Sequence, residues 1–338
     1  MIELKNDSLV FSFPDVHKDA VLAIEFQRTL RIPDDSKNYP LPPGLGAFPL
    51  RHVDDFAEKI PESWLEHGGV VFPMYQSEAM WLNFIGRWIG SGYPFAVKIA
   101  TGKINAVTGK EWKDGLGREP QDYVVVPDQP WLDGYCVEKG VIRQFVAVPL
   151  GADCSAEEQL TGAAEYGGVQ VIAYPMKRES YERLLEKDHD RLLFASADVL
   201  AAPAKVGFSM GLAPGGRMRQ KIYDDRYDFE DWDLIRSSRC FVHIANSLVW
   251  RAITGQAPPT VPPTAKEYTD AGLPWFDLYD EHARALEGGH ALGGLKSVRQ
   301  LGEEKGGVPL PENVSVDPQH VNKLRHGLKK DQVREGVF

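Results

Sequence analysis

Apolar and polar residues alternate along the start of the chain with the period of a half-buried strand. Leu9, Phe11 and Phe13 share one face. After a turn at 14–18, Leu22, Ile24 and Phe26 fall in step against Glu25 and Gln27, so residues 8–32 predict a hairpin. A Pro/Gly-rich crossing at 39–49 should carry no regular structure. Apolar runs at 70–75, 79–89 and 95–99 are of strand or buried-helix type, split by Gly and Pro. Residues 97–107 predict a second hairpin turning near 101–103, and 123–126, 141–148 and 168–174 predict further strands. About eight short strands with turns between them, and no βαβ rhythm, point to an α+β, β-rich protein with a β-sandwich- or barrel-like domain over 1–176.

The pattern changes after 176. Ser180 is placed as the N-cap of a short helix, 241–244 as a strand, and 247–253 as a helix stopped by Gly255. Thr264-Ala-Lys-Glu267 reads as a capping box closed by Gly272. These elements predict a mixed α/β domain over 177–301 packed on the first. Residues 302–338 come after it as an arm on a neighbour or a loosely held tail, with one weak helix after Asp317-Pro318.

Polar residues inside apolar patterns carry the candidate chemistry. Arg143 and Gln144 are adjacent in the strongest strand and should point to opposite faces. A guanidinium on an apolar strand needs a partner, since an unpaired buried charge is costly. With Trp131 and Asp133 in the turn-rich lead-in, they form a candidate binding set, a polar group beside an aromatic wall. The plainer reading pairs Arg143 with a core acid and uses Trp131 as a plug.

Composition narrows the classes. The 338 residues are 43% apolar and 25% charged, ordinary for a globular protein, and 38 basic against 48 acidic residues leave −10. Such a chain, without a basic block, is a poor partner for nucleic acid or anionic membrane. Cys136, Cys154 and Cys240 form no CxxC pair and suit a reducing, cytoplasmic setting. The N-terminal residues lack an apolar core of signal-peptide length. The best membrane candidate, 79–97, is broken by Arg87 and several glycines, where a span wants roughly twenty mostly apolar residues.

Several motifs meet their chemistry only in part. Gly207-Phe-Ser-Met-Gly211 matches the nucleophile elbow G-x-S-x-G and makes Ser209 a catalytic candidate, but Pro214-Gly-Gly downstream spoils the helix that elbow requires. The stretch 102–110 resembles a phosphate loop with wrong spacing, and no dinucleotide fingerprint occurs, so no cofactor is expected. Residues 224–233 hold six acids in ten. Asp224, Asp228 and Asp231 are the metal candidates there, against a solvated acidic loop, because calcium loops need a central glycine that this run lacks. The nine histidines show no ligand spacing, and His243 reads as a hydrogen-bonded core residue. Cys240 beside Arg239 reads as a buried inert thiol.

Long strings resemble a family of bacterial and fungal proteins with no assigned activity. They are F-Q-R-T-L-R-I-P-D-D and Y-P-L-P-P-G-L-G within 26–46, P-Q-D-Y at 120–123, P-W-L-D-G at 130–134 and I-R-Q-F-V-A-V-P-L-G at 142–151. E-E-Q-L-T-G at 157–162, G-R-M-R-Q-K-I-Y at 216–223 and P-P-T-A-K-E-Y-T-D-A-G-L-P-W-F-D at 262–277 extend it over nearly the whole chain. The resemblance implies kinship and no site residues. The label "integral membrane protein" borne by some fungal members conflicts with the hydropathy.

The expectation from sequence is therefore a soluble, acidic, cytoplasmic, non-enzymatic binding or self-assembling protein. Its partners would be another protein or its own copy, with a small-molecule or glycan ligand as the further option. The alternatives are a hydrolase, through Ser209 or through a carboxylate pair near 131–133, and a lectin-like module.

Overall fold

The computed structural model describes residues 1–35, 37–85, 92–188, 210–279, 284–306 and 314–325. The chain is α+β and β-rich, as the alternating patterns predict. Its first strands are β1 (Ile2–Lys5), β2 (Ser8–Ser12), β3 (Val21–Thr29), β4 (Asn38–Tyr39), β5 (Gly44–Ala47) and β6 (Arg51–His52). After helix α1 (Glu62–His67) come β7 (Val70–Met74), β8 (Ala79–Ile85), β9 (Phe95–Thr101), β10 (Ile104–Asn105) and β11 (Val124–Val126). Next are β12 (Trp131–Leu132), β13 (Gly134–Glu138), β14 (Val141–Pro149), helix α2 (Ala156–Thr161), β15 (Val169–Pro175) and helix α3 (Arg178–Asp188). The later elements are β16 (Met210–Arg219), β17 (Ser238–Asn246), α4 (Ser247–Thr254), α5 (Ala265–Asp270) and β18 (Trp275–Tyr279). Helices α6 (His290–Gly293) and α7 (Val298–Glu304) and strand β19 (Val321–Arg325) complete the described elements.

Two large sheets share these strands. One runs β1-β2-β3-β8-β14-β16-β4, with β5 on β3, β12 on β8 and β13 on β14. The other runs β10-β9-β15-β17-β7-β6, with β11 on β9. The hairpin expected over 8–32 forms as β2 and β3, with Leu9 opposite Ile24 and Phe11 opposite Leu22. The side chains of both sheets that fall on their inner faces join in one core, where Phe72 of β7 meets Phe26 at 5.4 Å and Phe48 at 4.7 Å. A second cluster of Trp64, Val71, Ala245, Trp250 and Ile253 packs α1 and α4 on the outer face of the second sheet.

Several boundaries differ from the sequence expectation. The described residues after 176 share the sheets of the first part, because β16 pairs with β14 in the first sheet and β17 lies between β15 and β7 in the second. Sheet pairing is non-local, and local patterning carries no information about it. Ser180 lies inside α3, which starts at Arg178, and its hydroxyl donates to Asp231 at 2.6 Å instead of capping. The weak helix after Asp317 is instead β19, parallel to β18. Val316 is buried in the main core, so the described part of 302–338 packs on its own chain. The capping box at Thr264 and Glu267 forms as expected, and Gly255 ends α4 in the left-handed region at φ 70°. No helix among the described residues is long and apolar enough to cross a membrane.

Candidate ligand-binding site

The pairing of β13 with β14 brings the Asp133 backbone beside Gln144, its carbonyl accepting from Phe145 N–H at 3.1 Å, but the singled-out side chains serve separate partners. Arg143 donates to Asp34 at 3.3 Å and to the carbonyls of Gly215 and Leu295. Gln144 is fully buried, accepts from Ile32 N–H and donates to Leu30 O. Both side chains thus stitch the segment 30–34 to β14. Trp131 stands half-buried edge-on to Trp81 on a different part of the sheet. Gly134 lets β13 approach closely, since a Cβ there would lie 2.0 Å from the Arg143 carbonyl.

Asp133 is buried, and its carboxylate accepts from Gln220 at 2.5 Å. Burial pushes its carboxyl up to about 7 against that hydrogen bond. The folded protein therefore binds a proton that the unfolded chain releases, and stability falls as pH rises from the ordinary carboxylate range to about 7. Asp133→Asn is expected to remove this decline. Above pH 7 it should stabilise by about 2 kcal/mol, roughly half the full shift, because the new amide hydrogens gain no acceptor. Urea melts between pH 4 and 8 check this; an unchanged slope would refute it.

Ser209 lies outside the described residues. The chain continues from it into strand β16 at Met210, where a nucleophile elbow requires a helix. Of the metal candidates, Asp231 accepts from Ser180 and Arg183, while Asp224 lines an open groove of about 450 Å3 with Lys139, Lys221 and Arg284. Among the described residues no group of three His, Cys, Asp or Glu side chains could hold a metal ion. His243 is a core residue, stacked on Trp64 with its Nε2 on Gly68 O, and burial depresses it to about 4. Burial also pushes the Cys240 thiol up to about 12.

A different cluster carries the unspent chemistry. In β3 the core-facing parity runs Leu22, Ile24, Phe26 and then Arg28, so a guanidinium occupies a core position. Its partner is Glu78, in the turn from β7 to β8, at 2.6 Å; both side chains are 1% exposed. The second Glu78 oxygen accepts from Tyr75 N–H at 2.9 Å, and Phe48 lies 5.6 Å below the guanidinium. Arg28 Nη2 also donates to the Thr260 carbonyl, on the segment 256–263 that joins α4 to α5. Burial pushes the Glu78 carboxyl up, opposed by Arg28, and pushes the Tyr75 hydroxyl to about 12, with the Glu78 charge adding to it.

Sheet register brings further groups to this end. Met74, the last residue of β7, pairs with Asn246, the last of β17; a short turn later, Ala79 pairs with Thr29 of β3. Asn246 continues the core-facing parity of Cys240, Val242 and Ile244. Its Oδ1 caps α4 at Leu248 and Val249. Among the described residues, Arg28 Nη1 and Asn246 Nδ2 have no hydrogen-bond partner, and neither does the Oγ of Ser247, the residue after Asn246. Each such buried group costs about 1–3 kcal/mol, which a bound acceptor would recover. The open groove carries less, since Lys139 is already paired with Glu287.

Comparison with protein-family models, curated proteins and solved structures finds no match to this chain.

Proposed function

We propose that the protein is a binding protein, with its ligand seat at the end of the sandwich where Arg28, Glu78, Tyr75 and Asn246 meet. The supporting observation is the two buried donors, Arg28 Nη1 and Asn246 Nδ2, which have no partner among the described residues. Within the binding-or-assembly expectation, this favours binding. Kinship with the bacterial and fungal family belongs to the same proposal and supplies no residue roles. The cysteines stand as three separate thiols, which supports a reducing, cytoplasmic setting; recovery of the native protein from an oxidising compartment would speak against it.

A small-molecule fragment screen by saturation-transfer NMR tests the seat. Binders should lose their signal with Arg28→Lys and with Asn246→Asp, and keep it with Lys139→Ala in the open groove. Asn246→Asp is chosen because aspartate caps a helix as well as asparagine does. Signals that vanish only with Lys139→Ala would move the site to the groove and overturn the proposal.

The lectin-like reading has one observation of its own. Glu25 accepts from Ser8, Gln27 and Asn83 on the strand face that also holds Trp81, edge-on to Trp131. That polar network is already satisfied internally, which ranks it second. Glycan-array binding that Trp131→Ala abolishes would reverse the order.

A further inference from the structure

We infer that the ligand of this seat is a small organic carboxylate, which enters by displacing the strap 256–263 and its Thr260 carbonyl from Arg28. The inference rests on the proposed reading of the seat as ligand-binding and names the class of molecule.

The donors set the chemistry. Arg28 Nη1 and Asn246 Nδ2 are donors only, and Ser247 Oγ can donate, so the seat calls for an acceptor with more than one oxygen. Arg28 Nη2 already holds a carbonyl oxygen, that of Thr260. A carboxylate can take that position and reach Nη1 as well, the two-pronged geometry a guanidinium favours.

Charge points the same way. Glu78 neutralises Arg28. Arg251, four residues after Ser247 and so on the same face of α4, is close enough for its charge to act on Tyr75, as the Arg28 and Glu78 charges do. Arg251 has no carboxylate partner among the described residues. Arg251 is exposed and largely screened by solvent, so it adds a modest positive field that favours an anion over a neutral molecule here.

The strap supplies the way in. Its residues 256–263 include Pro258, Pro259, Pro262 and Pro263, which lack backbone donors, and its side chains are exposed or half-exposed. Gln256 at one end accepts from Arg51, and the Thr264 capping box starts α5 at the other. Between them, Thr260 O on Arg28 is the contact a ligand oxygen would replace. Lifting a segment with so few apolar contacts exposes little core.

Isothermal titration calorimetry on the full chain tests the class, with propionate and benzoate against propionamide and benzamide. The acids should bind at least tenfold more tightly than the matched amides. Arg251→Gln should weaken the acids about threefold and leave the amides unchanged, and Asn246→Asp should abolish acid binding while circular dichroism stays native. Amides that bind as tightly as the acids, with both lost in Arg28→Lys, would overturn the carboxylate assignment and leave the seat standing. Acids and amides that bind alike in wild type and Arg28→Lys would overturn the seat and this inference together.

Discussion

Asp225→Ala is expected to cost about 5 kcal/mol of unfolding free energy, enough to unfold much of the protein at ambient temperature. The Asp225 side chain is fully buried and accepts from Tyr123 OH at 2.6 Å, Arg118 at 2.7 Å, Trp232 Nε1 at 2.9 Å and Tyr227 N–H at 2.9 Å. Its own N–H donates to Gln121 Oε1, which fastens the 121–123 segment to the 223–232 loop. Alanine leaves the buried Tyr123 hydroxyl and Trp232 Nε1 without this acceptor, each worth about 1–3 kcal/mol, and frees the half-buried Tyr227 amide and Arg118 from it. Asp225→Asn keeps acceptor capacity on one oxygen and should cost about half as much. Urea unfolding at pH 7 measures both. A loss below about 1 kcal/mol for the alanine variant would show that this loop does not depend on the carboxylate.

Glu78→Ala is expected to cost about 3–5 kcal/mol, because it strands the Arg28 charge in the core. The double variant Arg28→Met, Glu78→Leu should recover most of that loss, since apolar residues of similar volume often replace a buried ion pair without penalty. Recovery would separate two roles: a pair that can be dispensed with for stability fits residues kept for a ligand. Thermal melts of the single and double variants give the comparison, and a double variant no more stable than Glu78→Ala would show that the pair holds the fold.

Much of the fold is legible where one strand meets its sequence neighbour. Leu9, Phe11, Leu22, Ile24 and Phe26 announce the β2–β3 hairpin by parity, and Thr264 with Glu267 announces a helix start. The long-range pairings are not legible. Nothing local in 210–219 or 238–246 says that these strands complete sheets begun by 141–149 and 169–175. The boundary expected at 176 reflects that gap.

The site shows the same division. A charge at a core-facing strand position needs a partner, and for Arg143 that rule correctly requires one, which is Asp34. It applies with more force to Arg28, which continues the Leu22-Ile24-Phe26 face. That signal is present in the alternation, but it sits at the end of the hairpin pattern, where parity alone does not say that the core continues. Glu78 leaves no signal, since it reaches Arg28 from 50 residues away, and neither does Asn246, which is brought to this end of the core only by its pairing with Met74.

The proposed function stands on Arg28 Nη1 and Asn246 Nδ2, buried donors with no partner among the described residues. A crystal structure of the protein with propionate or benzoate addresses it most directly. The carboxylate should lie within hydrogen-bond distance of both atoms, with the Thr260 carbonyl moved off Arg28. An ordered water on Nη1 that saturating acid does not displace, with Thr260 still in place, would contradict it.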